Sequence, residues 1–342
     1  VPATLRTIRR RVATAVAVTA IGAAAAIAVP NNPVTGIGGA QAAAVCDSAS
    51  GSVKQFYQGQ DASNTYNRLF SGSTKVDKYL NDYVPQGVAV WPNWDGSGQR
   101  VYLIGMHHKN EEKYAGDANQ PAGLIYAVDT AGYLKGVAYL PHGAHAGSVR
   151  VYGKWMYVQQ NTSVLRRYSL KSVRLTFRLR RGIHSLGNGT AIKVTGASFF
   201  DIFAGKLYAG EFHSDQRGVM RRYTIGKKGG LSRDGWGPLQ VPLKAQGLTV
   251  TKNRYIFSTS YKRGNRGNIY VIKRGYSRDE NFEKAGYRCF RAPVLTEDIT
   301  EYKGTLYLLN ESGASYFADG RKNKITHLHK TTTAKLTALA LH

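Results

Sequence analysis

Helical spacing is the first thing this 342-residue chain lacks. Beyond its first forty or so residues, no amphipathic stretch keeps helical periodicity for more than about two turns, which argues against α/β barrels and doubly wound folds. Acids are scarce too. Asp and Glu number 21 against 47 Lys and Arg, a formal charge of +26. Cysteine is nearly absent: Cys46 and Cys289 are the only two, and neither has a CxxC neighbour, which excludes thiol redox motifs and cysteine-rich zinc modules. Calcium-loop, nucleotide-phosphate-loop and HExxH patterns are missing, so neither a metal nor a cofactor is expected.

The first residues read as an address. Arg6, Arg9, Arg10 and Arg11 precede the small apolar run Val12 to Val29, and Ala40-Gln41-Ala42 forms a small-x-small cleavage site. Residues 1–42 are therefore expected to be a signal peptide, with a mature start near Ala43 and a secreted product, extracellular or wall-associated. A retained anchor is the rival, since the run is about the minimum length that spans a bilayer. Processing removes four arginines and no acid, lowering the formal charge from +26 to +22. Such a field attracts polyanions. In an oxidising compartment Cys46 and Cys289 can pair, and closing so long a loop stabilises by about 4–5 kcal/mol in the chain-entropy model.

What the sequence has in quantity is repetition. The segments 99–108, 153–161, 205–214, 253–262 and 304–313 each carry a Tyr inside an apolar run with a polar end. Tyr102, Tyr157, Tyr208, Tyr255 and Tyr307 follow at spacings of 55, 51, 47 and 52. Runs of this composition between turn formers are strands. Upstream lie the mostly Gly-led segments 86–92, 146–153, 196–205, 246–253 and 298–304. Downstream lie 123–132, 163–170, 218–226 and 267–275, with a fainter 315–320. A fourth, less regular strand is expected in each unit, at 135–141, 174–181, 238–244, 288–293 and 324–330. Four strands every fifty or so residues predict an all-β chain, a β-propeller of five four-stranded blades over 85–330, with six as the alternative count. Residues 43–84 form an N-terminal arm whose segment 76–83 could close the last blade, and 331–342 a tail.

The Tyr phrase, the Gly-led first strand and the Gly267–Val271 strand together resemble secreted bacterial β-propeller proteins over roughly residues 85–330. The resemblance implies architecture and no activity, because this fold hosts many chemistries.

Propeller geometry brings the starts of the innermost strands to one rim, which gathers Gln86, His145, Thr195, Gln246, Glu297 and Asp298 as a candidate ligand-binding set. The ends of the second strands supply His107, Gln160, Glu211, Ser258 and Asn310, with Glu311 and His213 alongside. Glu211 and His213, two apart on an extended strand, share a face and can touch. Catalytic candidates are Glu297, Asp298, Glu211 and His213, with Asp201 a further carboxylate for a glycosidase, whose two carboxyl groups must flank the scissile bond about 5–10 Å apart. Trp91 and Trp94 are the expected sugar-stacking pair. His142 and His145 lack a locally spaced carboxylate, so they read as loop residues, as does Ser185 in a segment that departs from the nucleophile-elbow pattern.

Arg166, Arg167, Arg221 and Arg222 recur in equivalent strands. Lys262 and Arg263 follow in the next blade, and Arg178, Arg180 and Arg181 lie on an expected outer strand. These form a candidate anion-binding track. Two functions follow: a monomeric binding module for an anionic cell-envelope polymer or another secreted protein, or a carbohydrate-active hydrolase or lyase working with carboxylates at the channel mouth. Nucleic acid is disfavoured as the target, and no membrane span is expected after processing.

Overall fold

A computed structural model describes residues 45–48, 52–114, 120–179, 181–277 and 280–342. The expected leader and its cleavage site, and Arg180, lie outside the described residues. Among those described, no helix is long and apolar enough to cross a membrane.

Five small antiparallel sheets form the blades of a five-bladed β-propeller. Blade 1 runs outward through Tyr83–Trp91, Val101–His108, Ala122–Asp129 and Leu134–His142. Blade 2 uses Val149–Tyr152, Trp155–Asn161, Val164–Ser169 and Thr190–Lys193. Blade 3 uses Phe199–Phe203, Lys206–Gly210, Val219–Ile225 and Leu231–Arg233, and blade 4 uses Ala245–Val250, Arg254–Thr259, Arg266–Lys273 and Tyr287–Val294. Blade 5 takes Thr296–Tyr302, Thr305–Asn310 and His327–Thr332 from the C-terminal end and Ser71–Lys75 from the N-terminal arm.

The repeated tyrosine sets the register. Tyr157 lies opposite Arg150, Tyr208 opposite Asp201, Tyr255 opposite Val250, Tyr307 opposite Thr300 and Tyr102 opposite Val90. All five tyrosines are buried. Those of adjacent blades meet, Tyr102 with Tyr307 at 4.9 Å and Tyr208 with Tyr255 at 6.3 Å between ring centroids. These rings fill the seams between blades 5 and 1 and between blades 3 and 4, where apolar burial stabilises each pair.

Several sequence expectations need correction. The arm closes blade 5 through Ser71–Lys75, not through 76–83, which turns into the first strand of blade 1. Segment 315–320 holds a single 3-10 turn at Ser315–Phe317, so the third strand of blade 5 is the segment expected to be its fourth. The strand expected over 174–181 is not formed at its start, because Leu170–Phe177 is an α-helix capped by Ser169. Its Val173 and Phe177, four apart, turn one apolar face inward. Phe177 lies so close to Gly136 that a Cβ there would stand 2.3 Å from it, which excludes any side chain at that position. In blade 3 the third strand pairs with both Leu231–Arg233 and Leu239–Gln240, the latter within the expected 238–244.

The arm is fastened at two places. Cys46 and Cys289 form a disulfide with Cα atoms 4.4 Å apart, and Asp47 bridges in parallel to Phe290 in the outer strand of blade 4. The helix Asn64–Leu69 then packs Tyr66 against Phe70 and places its hydroxyl 2.6 Å from Nδ1 of His329 in blade 5.

The axis is closed by one side chain. Arg150 Nε donates to Asp201 Oδ1 at 2.7 Å, while Nη1 and Nη2 grip Asp298 Oδ2 and Oδ1 at 2.7 and 3.0 Å. The remaining donors reach the carbonyls of Val88, Val149, Leu248 and Ile299 at 2.7–3.0 Å. These partners lie on the innermost strands of all five blades. The carboxylates are fixed in turn by backbone amides, Val88 to Asp298 Oδ2 at 2.9 Å and Val250 to Asp201 Oδ2 at 2.7 Å. Breaking a buried ion cluster by removing one member strands the others, at a cost of about 3–5 kcal/mol. Arg150→Met is therefore expected to lose about that much stability in a denaturant titration, and Arg150→Met with Asp201→Asn and Asp298→Asn to recover part of it; an unchanged midpoint contradicts the assignment.

His329 generates a second expectation. It is fully buried, and burial holds its imidazole well below the ordinary range, with His327 adding to the effect. An unfolded histidine takes up a proton near pH 6.5 that the native site refuses, so this contribution is present above about pH 6.5 and lost as pH falls, by about 1.4 kcal/mol per pH unit. His329→Gln should flatten the acid limb of a stability–pH curve; an unaltered limb contradicts this.

Candidate functional site

Innermost strands start, and second strands end, at the same mouth of the propeller. Ladder pairing shows this directly: Val84 faces His107, Ala245 faces Thr259 and Thr296 faces Asn310. A left-handed backbone residue stands within three positions of the first strand in four blades, at Ala146, Gly196, Lys244 and Leu295, with φ between 57° and 69°. Such a conformation costs a non-glycine residue free energy and is held by its surroundings. The recurring turn aims the residues beside it at a common opening.

The sequence candidates separate into three environments. Asp298 and Asp201 belong to the closed axis, where their oxygens are engaged by Arg150 and by backbone amides. Burial pushes the Asp298 carboxyl up to about 6 against the pull of Arg150, and burial also raises Asp201.

Glu297, next in sequence to Asp298, points into a different setting. It is 2 % exposed, and burial, with the nearby carboxyl of Glu311 adding, holds it well above the usual range. The carboxyl groups of Glu297 and Glu311 interact, and Glu311 Oε2 accepts from Gln86 Nε2 at 2.7 Å. Two carboxyl groups so close cannot both ionise readily, so they retain one proton between them. Neighbouring residues of one strand thus end in opposite states. Glu311, expected beside the second-strand tips, lies one residue past Asn310.

Glu211 and His213 do touch, Oε2 to Nε2 at 3.6 Å, and Arg221 binds the other carboxylate oxygen. Beside them, Phe212 and Tyr261 lie 5.9 Å apart, with Lys244 and Lys262 over the Tyr261 ring at 5.4 and 4.9 Å. The Lys244 amide donates to the His213 carbonyl, joining blades 3 and 4 at this arc. This aromatic and cationic arc replaces the expected stacking pair. Trp91 and Trp94 are buried and pack edge to face, under Arg174 and Arg178 respectively.

On the opposite arc, His107 and His145 stack at 4.8 Å, and both point Nδ1 at Glu111 Oε2, at 3.1 and 3.3 Å. The two imidazoles hold Glu111 well below the usual carboxylate range in spite of its burial. Burial, offset in part by Glu111, lowers His107 towards its neutral form. His142 stays apart, 2.6 Å from the Gln120 carbonyl. Gln160 donates to the His142 carbonyl, Gln246 is half-buried, and the Thr195 amide donates to the Tyr223 hydroxyl. Ser185 lies in a two-residue strand parallel to the edge of blade 1.

The basic residues divide by face. Arg166 and Arg221 occupy one register position and Arg167 and Arg222 the next, so the pairs lie on opposite faces of their sheets. Arg167 covers Trp155, and Arg222 covers Trp236 while bound to Asp234. Arg263 lies over Tyr316 and donates to its carbonyl. Away from the axis, a cleft of about 450 Å³ opens beside Tyr83, His108, Tyr139 and His142.

No family model matches the chain, and no curated protein does. Solved structures similar to it include a glutaminyl cyclase of Myxococcus xanthus, 10% identical with a TM-score of 0.43 over 77% of this chain and 97% of that one. Another is a GH43 β-xylosidase/α-arabinofuranosidase from a compost microbial metagenome, 12% identical with a TM-score of 0.41 over 77% and 94%. A third is a GH43 enzyme from Xanthomonas citri complexed with xylotriose, 11% identical with a TM-score of 0.37 over 75% and 89%. At such overlap the likeness lends this chain no activity, and the blade count rests on its own strand order.

Proposed function

We propose that the chain is an exported carbohydrate-active enzyme, a hydrolase or lyase, acting on an anionic glycan at this mouth. The observation that carries the reading is the buried Glu297–Glu311 pair, in which burial and the neighbouring carboxyl group hold Glu297 well above the usual range. Acid–base catalysis needs two groups whose surroundings drive their proton affinities apart. Glu297 would protonate the departing glycosidic oxygen, and Glu311 would share the remaining proton. Because the pair is in contact, it acts as one acid unit; a carboxylate across the bond must come from another blade. Glu211, held by Arg221 and His213, is the candidate.

Support for an acidic substrate comes from the excess of 47 basic over 21 acidic residues and from Lys244 and Lys262 flanking Tyr261. An aromatic face beside two ammonium groups suits a sugar ring bearing a carboxylate. Gln86, His145 and Gln246 would contact the same ligand, and the leader over 1–42 would deliver the enzyme outside the cell. The charge alone would equally serve a non-catalytic module, so turnover decides.

Glu297→Gln and Glu311→Gln are each expected to lower kcat on an acidic glycan by about 10²–10⁴ while KM changes little. Lys244→Ala with Lys262→Ala should raise KM, most at low salt. Activity should persist through neutral pH and fall on the alkaline side, where Glu297 surrenders its proton. Salt-sensitive binding without turnover, or full activity in Glu297→Gln, overturns the enzymatic reading.

A further inference from the structure

The cluster of His107, Glu111 and His145 stands apart from the acid pair and draws on two blades. His107 lies at the end of the second strand of blade 1, Glu111 in the loop that follows, and His145 just before blade 2. A carboxylate offers two oxygens with room for about four donors. Both imidazoles nonetheless aim the same nitrogen, Nδ1, at the same oxygen, Oε2. The three donor atoms lie within 4.8 Å of one another. In a tetrahedral site with bonds of about 2.0–2.2 Å, neighbouring ligand atoms stand roughly 3.3–3.5 Å apart. The two nitrogen–oxygen separations, 3.1 and 3.3 Å, are close to that spacing, and the third lies within 4.8 Å.

We propose that His107, Glu111 and His145 form a binding site for a transition-metal dication of the zinc class at the propeller mouth. Two imidazoles with one carboxylate favour zinc over calcium or magnesium, which prefer sets made wholly of oxygen. The side chains of His107 and Glu111 are 10% and 13% exposed, while that of His145 is 40% exposed, so the cluster opens on one side. That open side leaves a fourth coordination position for water or a ligand. The sequence hid the set because His145 and Glu111 are 34 residues apart and Glu111 sits in what reads as a charged surface run.

His145 is also a ligand contact in the enzymatic reading, but the test reads metal binding alone, so the two readings can fail separately. The full chain, stripped of metal with a chelator and desalted, is titrated with Zn²⁺ by calorimetry, and Co²⁺ is added separately for its visible absorption. One Zn²⁺ per chain is expected, with cobalt bands of a low-coordinate site. Glu111→Gln and His145→Ala, whose folding is checked by circular dichroism, should each weaken zinc binding at least about tenfold, since even outer-shell changes cost 10–100-fold. Absence of zinc binding, or a loss below tenfold in both variants, overturns the proposal and leaves the cluster a hydrogen-bonded triad.

Discussion

The structure depends on a guanidinium group buried at the centre of a ring of strands. Five sheets around an axis leave a column where backbone carbonyls converge, and a side chain with few donors could not satisfy them. Arg150 answers this with five N–H donors in a rigid plane, a geometry suited to carbonyls and carboxylates together. Its charge would be prohibitive there without compensation, and Asp201 and Asp298 provide it. One residue thereby joins blade 2 to the other four.

Closing the axis has a consequence for chemistry. The centre is occupied by Arg150 and its two carboxylates, and the contrast between Glu297 and Asp298 follows from their different neighbours. Asp298 meets a cation and amide donors, whereas Glu297 meets another carboxyl group in the same low-dielectric surroundings. Both residues lie where the ladder is irregular between Thr296 and Ile299, so neighbours in sequence enter different surroundings. The opposite arcs of the mouth differ as sharply, one aromatic and cationic, the other imidazole-rich.

Much of the fold was legible because strand alternation and a recurring tyrosine are local signals. Tyr102, Tyr157, Tyr208, Tyr255 and Tyr307 occupy equivalent register positions, and the disulfide follows from there being two cysteines. The closing strand Ser71–Lys75 was not legible, since its sequence, SGSTK, carries no apolar alternation and its pairing with blade 5 is non-local. The helix Leu170–Phe177 was read as a strand because its alternating apolar residues fit both periods over so short a span. Of the candidate site, the rim positions, with Glu311 alongside, follow from topology, whereas the contacts of Arg150 and Glu111 do not. A clue to Arg150 lay in the repeat itself: it and Asp201 stand at equivalent positions, where blades 1 and 4 carry valine. A charge at the innermost strand of one blade matched by its opposite in the next is a signature of an axial ion pair.

The central claim, that the Arg150 cluster ties the blades at their axis, is tested most directly by native-state hydrogen exchange at the amides of Val88 and Val250, which donate to Asp298 and Asp201. If the cluster holds the blades together, these amides exchange only on global unfolding, with the same dependence on denaturant as unfolding itself. Exchange through local opening, faster than at the second-strand amides of the same blades, would contradict the account.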